Sequence, residues 1–181
     1  TNVARNRARY EGVRSCRAAA LVAGGGKGCF WGCLGLGDCE AVCDLDAIFM
    51  TGHDLPVVIE DACTACGDCV DACPKDLFSL HPVSHRLWVT CKNLETGAAA
   101  LEDCEVACDA CGKCAVDAPE KVITMVDNLP VVNYEMNHNA RSAIERCPTG
   151  AIVWFDPEKG PQTGRVAHKV VRQSARRVTE T

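Results

Sequence analysis

The clearest group among the 15 cysteines of the chain follows the spacing Cys-x2-Cys-x2-Cys-x3-Cys-Pro. It consists of Cys63, Cys66, Cys69 and Cys73, and Pro74 follows. In bacterial ferredoxins, three cysteines of such a run bind one 4Fe–4S cluster and the fourth binds a neighbouring cluster. The run therefore predicts iron–sulfur clusters, and the chemistry of such clusters is the transfer of single electrons.

A second run lies upstream and has wider spacing, with cysteines at positions 29, 33, 39 and 43. If each run supplies its fourth cysteine to the cluster of the other run, the cysteines of both runs sort into two complete sets of four. The first cluster is then assigned to Cys29, Cys33, Cys39 and Cys73, and the second to Cys63, Cys66, Cys69 and Cys43. The wider spacing requires residues 34–38 to loop outward, and the two glycines among them tolerate such a turn.

The sequence then repeats. Leu55-Pro56-Val57-Val58 recurs as Leu129-Pro130-Val131-Val132, and Cys73-Pro74 recurs as Cys147-Pro148. The second copy keeps one complete set, assigned to a third cluster: Cys108, Cys111, Cys114 and Cys147. The positions of the other set are occupied by Ala118, Asn137, Ala140 and Ala143. We therefore expect three 4Fe–4S clusters and one vacated site that protein atoms fill, with a helix over residues 139–146.

Three cysteines lie outside these sets: Cys16, Cys91 and Cys104. They are either small buried hydrophobic residues or ligands of a fourth cluster that another group completes. A disulfide is disfavoured because a chain with many iron-binding thiolates belongs in a reducing compartment. Zinc is disfavoured because structural zinc sites use paired cysteines separated by longer segments. The five histidines show no paired spacing and are expected on the surface.

Composition and charge limit the remaining possibilities. Aromatic residues make up only 5% of the chain, so we expect folding to depend on the clusters. Residues 1–27 contain six basic residues and one acidic residue, whereas residues 28–164 contain eight basic and 22 acidic residues. An acidic surface repels phosphate, which argues against nucleic-acid binding. No apolar stretch of about 18 residues and no signal peptide are found, so we expect a soluble cytoplasmic chain that contacts membranes only through partners or a missing anchor.

The pattern predicts an α+β fold of tandem bacterial 2x(4Fe–4S) ferredoxin-like domains with short strands and helices. The predicted organisation is a helical N-terminal segment (1–28), a two-cluster domain (29–82), a linker (83–103), a degenerate one-cluster domain (104–156) and a basic tail (157–181). Strands are predicted at 56–59, 77–80, 86–90, 122–126 and 151–155. Helices are predicted at 4–22, 98–105 and 165–178, after Cys39, Cys69 and Cys114, and before Cys147.

Several motifs resemble the RnfB (RsxB) subunit of Rnf electron-transport complexes. They are Tyr10-Glu11-Gly12, Cys16-Arg17-Ala18-Ala19, Leu21-Val22-Ala23-Gly24-Gly25, Gly32-Cys33-Leu34-Gly35-Leu36-Gly37-Asp38-Cys39 and Asp46-Ala47-Ile48. The resemblance implies an electron-transfer subunit, not a catalyst by itself, that connects ferredoxin or another low-potential donor with flavin-containing partners at the cytoplasmic face of the inner membrane. Two alternatives remain: an iron–sulfur subunit of a soluble flavin-based electron-bifurcating dehydrogenase or reductase, and a redox-sensing cluster protein. The family also has an N-terminal anchor and an extra cysteine cluster before this region, neither of which is found in this sequence. Its second half normally holds two clusters, and this sequence keeps the ligands of one.

Overall fold

The computed structural model describes residues 3–168. Contacts between Cα atoms divide the chain into two compact units, the first up to Leu80 and the second from His81 onward. Each unit combines short helices with small antiparallel sheets, which agrees with the predicted α+β class.

The first unit contains three short α-helices and one hairpin. Helix α1 spans Cys16–Ala20, α2 spans Asp38–Ala41 and α3 spans Asp68–Ala72. Strands β1 (Ile48–Met50) and β2 (Pro56–Val58) pair antiparallel, with Ile48 opposite Val58. Two 3₁₀ helices, Ala23–Gly26 and Glu60–Ala62, complete the unit.

The second unit contains two helices and two sheets. Its α-helices are α4 (Gly97–Asp103) and α5 (Lys113–Asp117), and a 3₁₀ helix spans Arg141–Ile144. Strands β4 (Ile123–Val126) and β5 (Leu129–Val132) form a hairpin. A separate three-stranded sheet has the order β3-β6-β7 and consists of β3 (Leu87–Val89), β6 (Ile152–Asp156) and β7 (Gly160–Gln162). The buried core of this unit includes Leu87, Val122, Ile144 and Ile152.

Left-handed residues set the starts of the helices that follow the cysteine runs. The residues that precede α2, α3 and α5 are Gly37, Gly67 and Gly112, with φ angles of 82°, 94° and 70°. Glycine adopts positive φ without a steric penalty, so each helix begins directly after the turn. In the β4–β5 hairpin, Asp127 and Asn128 have φ angles of 46° and 69°, as a tight two-residue hairpin turn requires.

The first cysteine run does not loop outward, so that expectation was wrong. Gly35 and Ala110 both have positive φ, 73° and 62°, and each lies two residues after a cysteine of its run. With Gly37 and Gly112, the turns before α2 and α5 therefore have matching backbone conformations. Leu34, at the start of the supposed loop, is only 8% exposed.

Several predicted elements differ from those observed. The helix predicted at 4–22 was wrong except for α1, because residues 4–15 adopt bends and an isolated bridge from Asn6 to Lys27. No strand forms at 77–80. Segment 83–103, interpreted as a linker, contributes β3 and α4 to the second unit. Strand β7 lies in the segment interpreted as a tail, and most of the helix predicted at 165–178 falls outside the described residues.

Candidate functional site

Four cysteines of the second unit surround one cavity. Cys108 and Cys111 lie in the loop before α5, Cys114 lies in the first turn of α5, and Cys147 follows the 3₁₀ helix Arg141–Ile144. All four line one cavity that is partly open to solvent. Apolar side chains, including Pro130 and Ile152, line much of the rest. The structure thus brings together the four residues assigned to the third cluster.

The cavity has the sulfur donors of an iron–sulfur cluster. Within residues 3–168, no three His, Cys, Asp or Glu side chains are close enough to hold one metal ion. A structural zinc ion would require its sulfur ligands within about 2.3 Å of one point. Four thiols around one mostly apolar cavity match the donor set that an iron–sulfur cubane requires.

Burial makes these thiols difficult to ionise without a metal. Burial raises the pKa of Cys114 to about 11, and the neighbouring Cys147 adds to the rise. Burial also raises the pKa of Cys108 to about 11, with smaller contributions from Cys91 and Cys114. Because thiolates are the metal-binding form, iron binding must displace these protons and must supply the compensating positive charge. The site is therefore built for an occupied state.

The cysteines of the first unit show two neighbourhoods. Burial raises the pKa of Cys69, and the nearby Cys63 and Cys66 raise it further. Burial likewise raises the pKa of Cys33, and there the contributing thiols are Cys16 and Cys73. Cys73 therefore lies near Cys33 of the upstream run, which is the proximity that an exchange of fourth ligands needs.

The two fourth cysteines also share a local geometry. Cys43 Sγ accepts a hydrogen bond from Ala47 N at 3.3 Å, and Cys73 Sγ accepts one from Leu77 N at 3.4 Å. In both cases the donor lies four residues after the cysteine. Such N–H···S bonds stabilise a thiolate and influence the potential of the cluster it binds.

The three remaining cysteines lie beside the runs. Burial raises the pKa of Cys39 to about 11, and Cys33 and Cys16 contribute to the rise. Cys91 Sγ accepts hydrogen bonds from Cys108 N at 3.3 Å and from Asn93 N at 3.4 Å. Burial raises the pKa of Cys104, with a contribution from Cys91. Cys16 thus belongs to the first unit, and the other two thiols lie together in the second.

Protein atoms occupy the region around the expected vacated site. Ala140, Ala143 and Ile144 are 3%, 0% and 1% exposed, and Ala118 packs against the same core, whereas Asn137 is exposed. The expected helix before Cys147 is present as a 3₁₀ turn, shorter than the predicted span of residues 139–146.

Polar contacts also hold that region together. Ser142 Oγ donates to Asp117 O at 2.8 Å, and Arg146 Nε donates to the Asp117 carboxylate at 2.8 and 3.0 Å. These bonds connect Asp117 at the end of α5 with the 3₁₀ helix and with Arg146 just after it.

A cluster of rings in the second unit was not foreseen from the sequence. His81, His85 and His138 are half-buried rather than exposed, together with Trp88 and Tyr134. His85 stacks on Tyr134 with ring centroids 3.9 Å apart, and His81 Nδ1 lies 3.1 Å from His85 Nδ1. Burial lowers the pKa of His81, and burial with the charges of His138 and His81 lowers that of His85. Only the spacing of His81 and His85 could have signalled this contact.

The described part of the chain contains no helix with the length and apolar character needed to span a bilayer.

Comparisons with known proteins agree with the chemistry of these sites. Residues 56–78 match the family model of a 4Fe-4S binding domain. The chain is 39% identical over 161 residues to the B subunit of the Na(+)-translocating ferredoxin:NAD(+) oxidoreductase complex of Acetobacterium woodii, covering 89% of this chain and 48% of that protein.

Two further relatives carry related names. The B subunit of the proton-translocating ferredoxin:NAD(+) oxidoreductase complex of Clostridium ljungdahlii is 41% identical over 79% of this chain and 51% of its own length. The B subunit of the ion-translocating oxidoreductase complex of Methanosarcina acetivorans is 34% identical over 79% of this chain and 54% of its own length. The chain therefore spans about half the length of the relatives it matches. The predicted resemblance and the presence of 4Fe–4S chemistry are confirmed.

Proposed function

We propose that this chain, an RnfB-like iron–sulfur protein, relays single electrons through three 4Fe–4S clusters. The observation that carries the proposal is the cavity lined by Cys108, Cys111, Cys114 and Cys147, which supplies the four thiols that a cubane requires. When bound, each cluster supplies a one-electron redox couple. The protein residues bind the clusters, exclude water from them and donate N–H groups to their sulfur ligands.

In the first unit the second cluster is assigned to Cys63, Cys66, Cys69 and Cys43. The first cluster is assigned to Cys33, Cys39 and Cys73 with Cys29 as the fourth ligand suggested by spacing. This arrangement, with one further cluster in the second unit, makes the protein a tandem ferredoxin-like module.

Exposure of the ligands indicates where electrons enter and leave. Cys63 and Cys66 are exposed, and Cys111 is the exposed ligand around the cavity of the second unit, where Cys108, Cys114 and Cys147 are buried. Partners that exchange electrons by contact must approach these edges. We propose ferredoxin or another low-potential donor as one partner and a flavin-containing or other redox subunit as the second, at the cytoplasmic face of the inner membrane.

A second candidate function has a specific observation in its favour. The region of Ala140, Ala143 and Ile144 is filled by protein, so the second unit has one cluster position where the resemblance implies two. This departure favours an iron–sulfur subunit of a soluble flavin-based electron-bifurcating enzyme. A redox sensor is less suited, because a sensor needs one reactive cluster.

Iron content is the direct test. Three cubanes require about twelve irons and about twelve inorganic sulfides per chain, with negligible zinc. Anaerobically purified protein should give these values, and dithionite reduction should produce electron paramagnetic resonance (EPR) signals of reduced 4Fe–4S clusters. A value near eight would remove one assigned set, and zinc in place of iron would refute electron transfer. Purification of the intact protein with its partners would separate the membrane complex from the soluble one.

A further inference from the structure

One ligand position of the first run is occupied by leucine. The turns before α2, α3 and α5 each have left-handed residues at two matching places: Gly35, Ala65 and Ala110 at the first, and Gly37, Gly67 and Gly112 at the second. Between these places the second and third runs have Cys66 and Cys111, whereas the first run has Leu36. The first run therefore has the ordinary ferredoxin backbone and lacks its middle thiol.

Cys16 is fixed beside this gap by the carboxylate of Asp38. Asp38 Oδ1 accepts a hydrogen bond from Cys16 N at 2.9 Å, and Oδ2 accepts one from Ser15 Oγ at 2.9 Å and one from Arg17 N at 3.1 Å. Asp38 directly precedes Cys39 in helix α2. Three bonds to one carboxylate thus hold the first turn of α1 against the start of α2.

A second contact holds α1 against the element that delivers Cys73. The guanidinium of Arg17 donates to Asp71 O at 3.0 Å, and Asp71 lies in α3, two residues before Cys73. Cys16 therefore lies in a helix that is anchored next to Cys39 on one side and close to Cys73 on the other. Cys16 also lies close enough to Cys33 and Cys39 to contribute to the raised pKa of both thiols.

The turn that contains Cys29 recurs in the second unit. Cys29 lies in a turn closed by a hydrogen bond from Gly32 N to Cys29 O at 3.2 Å. The second unit has the equivalent turn, closed from Ala107 N to Cys104 O at 3.0 Å. Cys104 is not among the residues that line the four-cysteine cavity there. Cys29 thus lies in a turn whose counterpart in the second unit holds a cysteine that does not line the cavity.

We propose that Cys16, and not Cys29, is the fourth thiolate of the first cluster, together with Cys33, Cys39 and Cys73. This assignment rests on the proposed function. Cys16 compensates for Leu36, and its thiol proton passes to solvent when iron binds. The second unit has Cys111 in its run and needs no such substitute.

Single and double substitutions test this assignment in the anaerobically purified chain. Cys16→Ala should remove about a third of the iron, about four of about twelve atoms, together with one EPR component. The matched variant Cys29→Ala should retain the wild-type iron content. The double variant Cys16→Ala/Leu36→Cys restores the middle thiol of the run and should regain the lost iron and the lost EPR component.

The restoring substitution decides between ligation and mere support of the fold. Recovery of iron by Leu36→Cys in the Cys16→Ala background supports the assignment even if Cys29→Ala also loses iron. Full iron in Cys16→Ala, or failure of Leu36→Cys to restore it, overturns the assignment. Iron that is lost in Cys29→Ala and regained in the double variant Cys29→Ala/Leu36→Cys, but not in Cys16→Ala/Leu36→Cys, assigns Cys29 instead. Wild-type protein without about twelve irons refutes the proposed function itself.

Discussion

Replacement of Ile144 by alanine should destabilise the second unit strongly. The side chain is 1% exposed and lies in the region where the sequence predicts a lost cluster. Ile→Ala substitutions in cores cost about 2–5 kcal/mol, depending on how well the neighbours close the cavity. Here two neighbours, Ala140 and Ala143, are small and already buried, so little can move into the space. We therefore expect a loss of about 4 kcal/mol for Ile144→Ala and about 1 kcal/mol for Ile144→Val.

Anaerobic urea unfolding of the cluster-loaded protein, followed by far-ultraviolet circular dichroism, measures this effect. With a denaturant slope of about 2 kcal/mol per molar urea, the midpoint should fall by about 2 M for Ile144→Ala and about 0.5 M for Ile144→Val. The control is Val126→Ala, since Val126 is 49% exposed and should change stability by no more than about 0.5 kcal/mol. If Ile144→Ala shifts the midpoint no more than Val126→Ala does, the region is not packed and the interpretation of a protein-filled site fails.

Two further predictions concern the clusters and the backbone. Cys73→Ala should eliminate the EPR signal of the first cluster, and Cys43→Ala that of the second; loss of the cluster nearest in sequence instead would contradict the exchange of fourth ligands. Gly164→Ala should lower the unfolding midpoint, because a Cβ atom there would overlap the Ile144 carbonyl oxygen, whereas Gly52→Ala should have little effect because nothing lies within 4 Å of its Cβ position. Equal midpoints for these two alanine variants would show that the backbone around Gly164 yields easily.

The parts of the fold that the sequence predicted depend on short-range chemistry. The β2 and β4 strands carry β-branched residues at their predicted places, and the helices after Cys69 and Cys114 follow directly from glycine turns. Spacing within a run is local as well. Because these features involve neighbouring residues, they can be predicted from the sequence without knowledge of how the elements pack.

The failures arose where long-range contacts decide the structure. The N-terminal segment has helix-forming residues, but backbone bonds such as Arg7 N to Gly26 O at 2.8 Å hold it against the Ala23–Gly26 turn instead. The wide spacing of the first run was misinterpreted as an insertion, because counting residues between cysteines does not reveal that Leu36 lies between the same two left-handed residues as Cys66 and Cys111. The anchoring of α1 by Asp38 connects residues 22 positions apart, and no periodicity of the sequence signals it.

The asymmetry of the second unit restricts the electron path. At one cluster position, four thiols surround a cavity that opens to solvent, and Cys111 is the exposed member of the set. At the other position, Ala143 and Ile144 fill the space, and the Asp117–Arg146 pair closes the gap between the elements beside it. Saturated carbon and an ion pair hold no redox orbital at low potential, so the described residues at this position offer the electron no second acceptor. We infer that the electron path within this unit ends at the third cluster. A donor or acceptor then contacts that cluster at the edge where Cys111 is exposed.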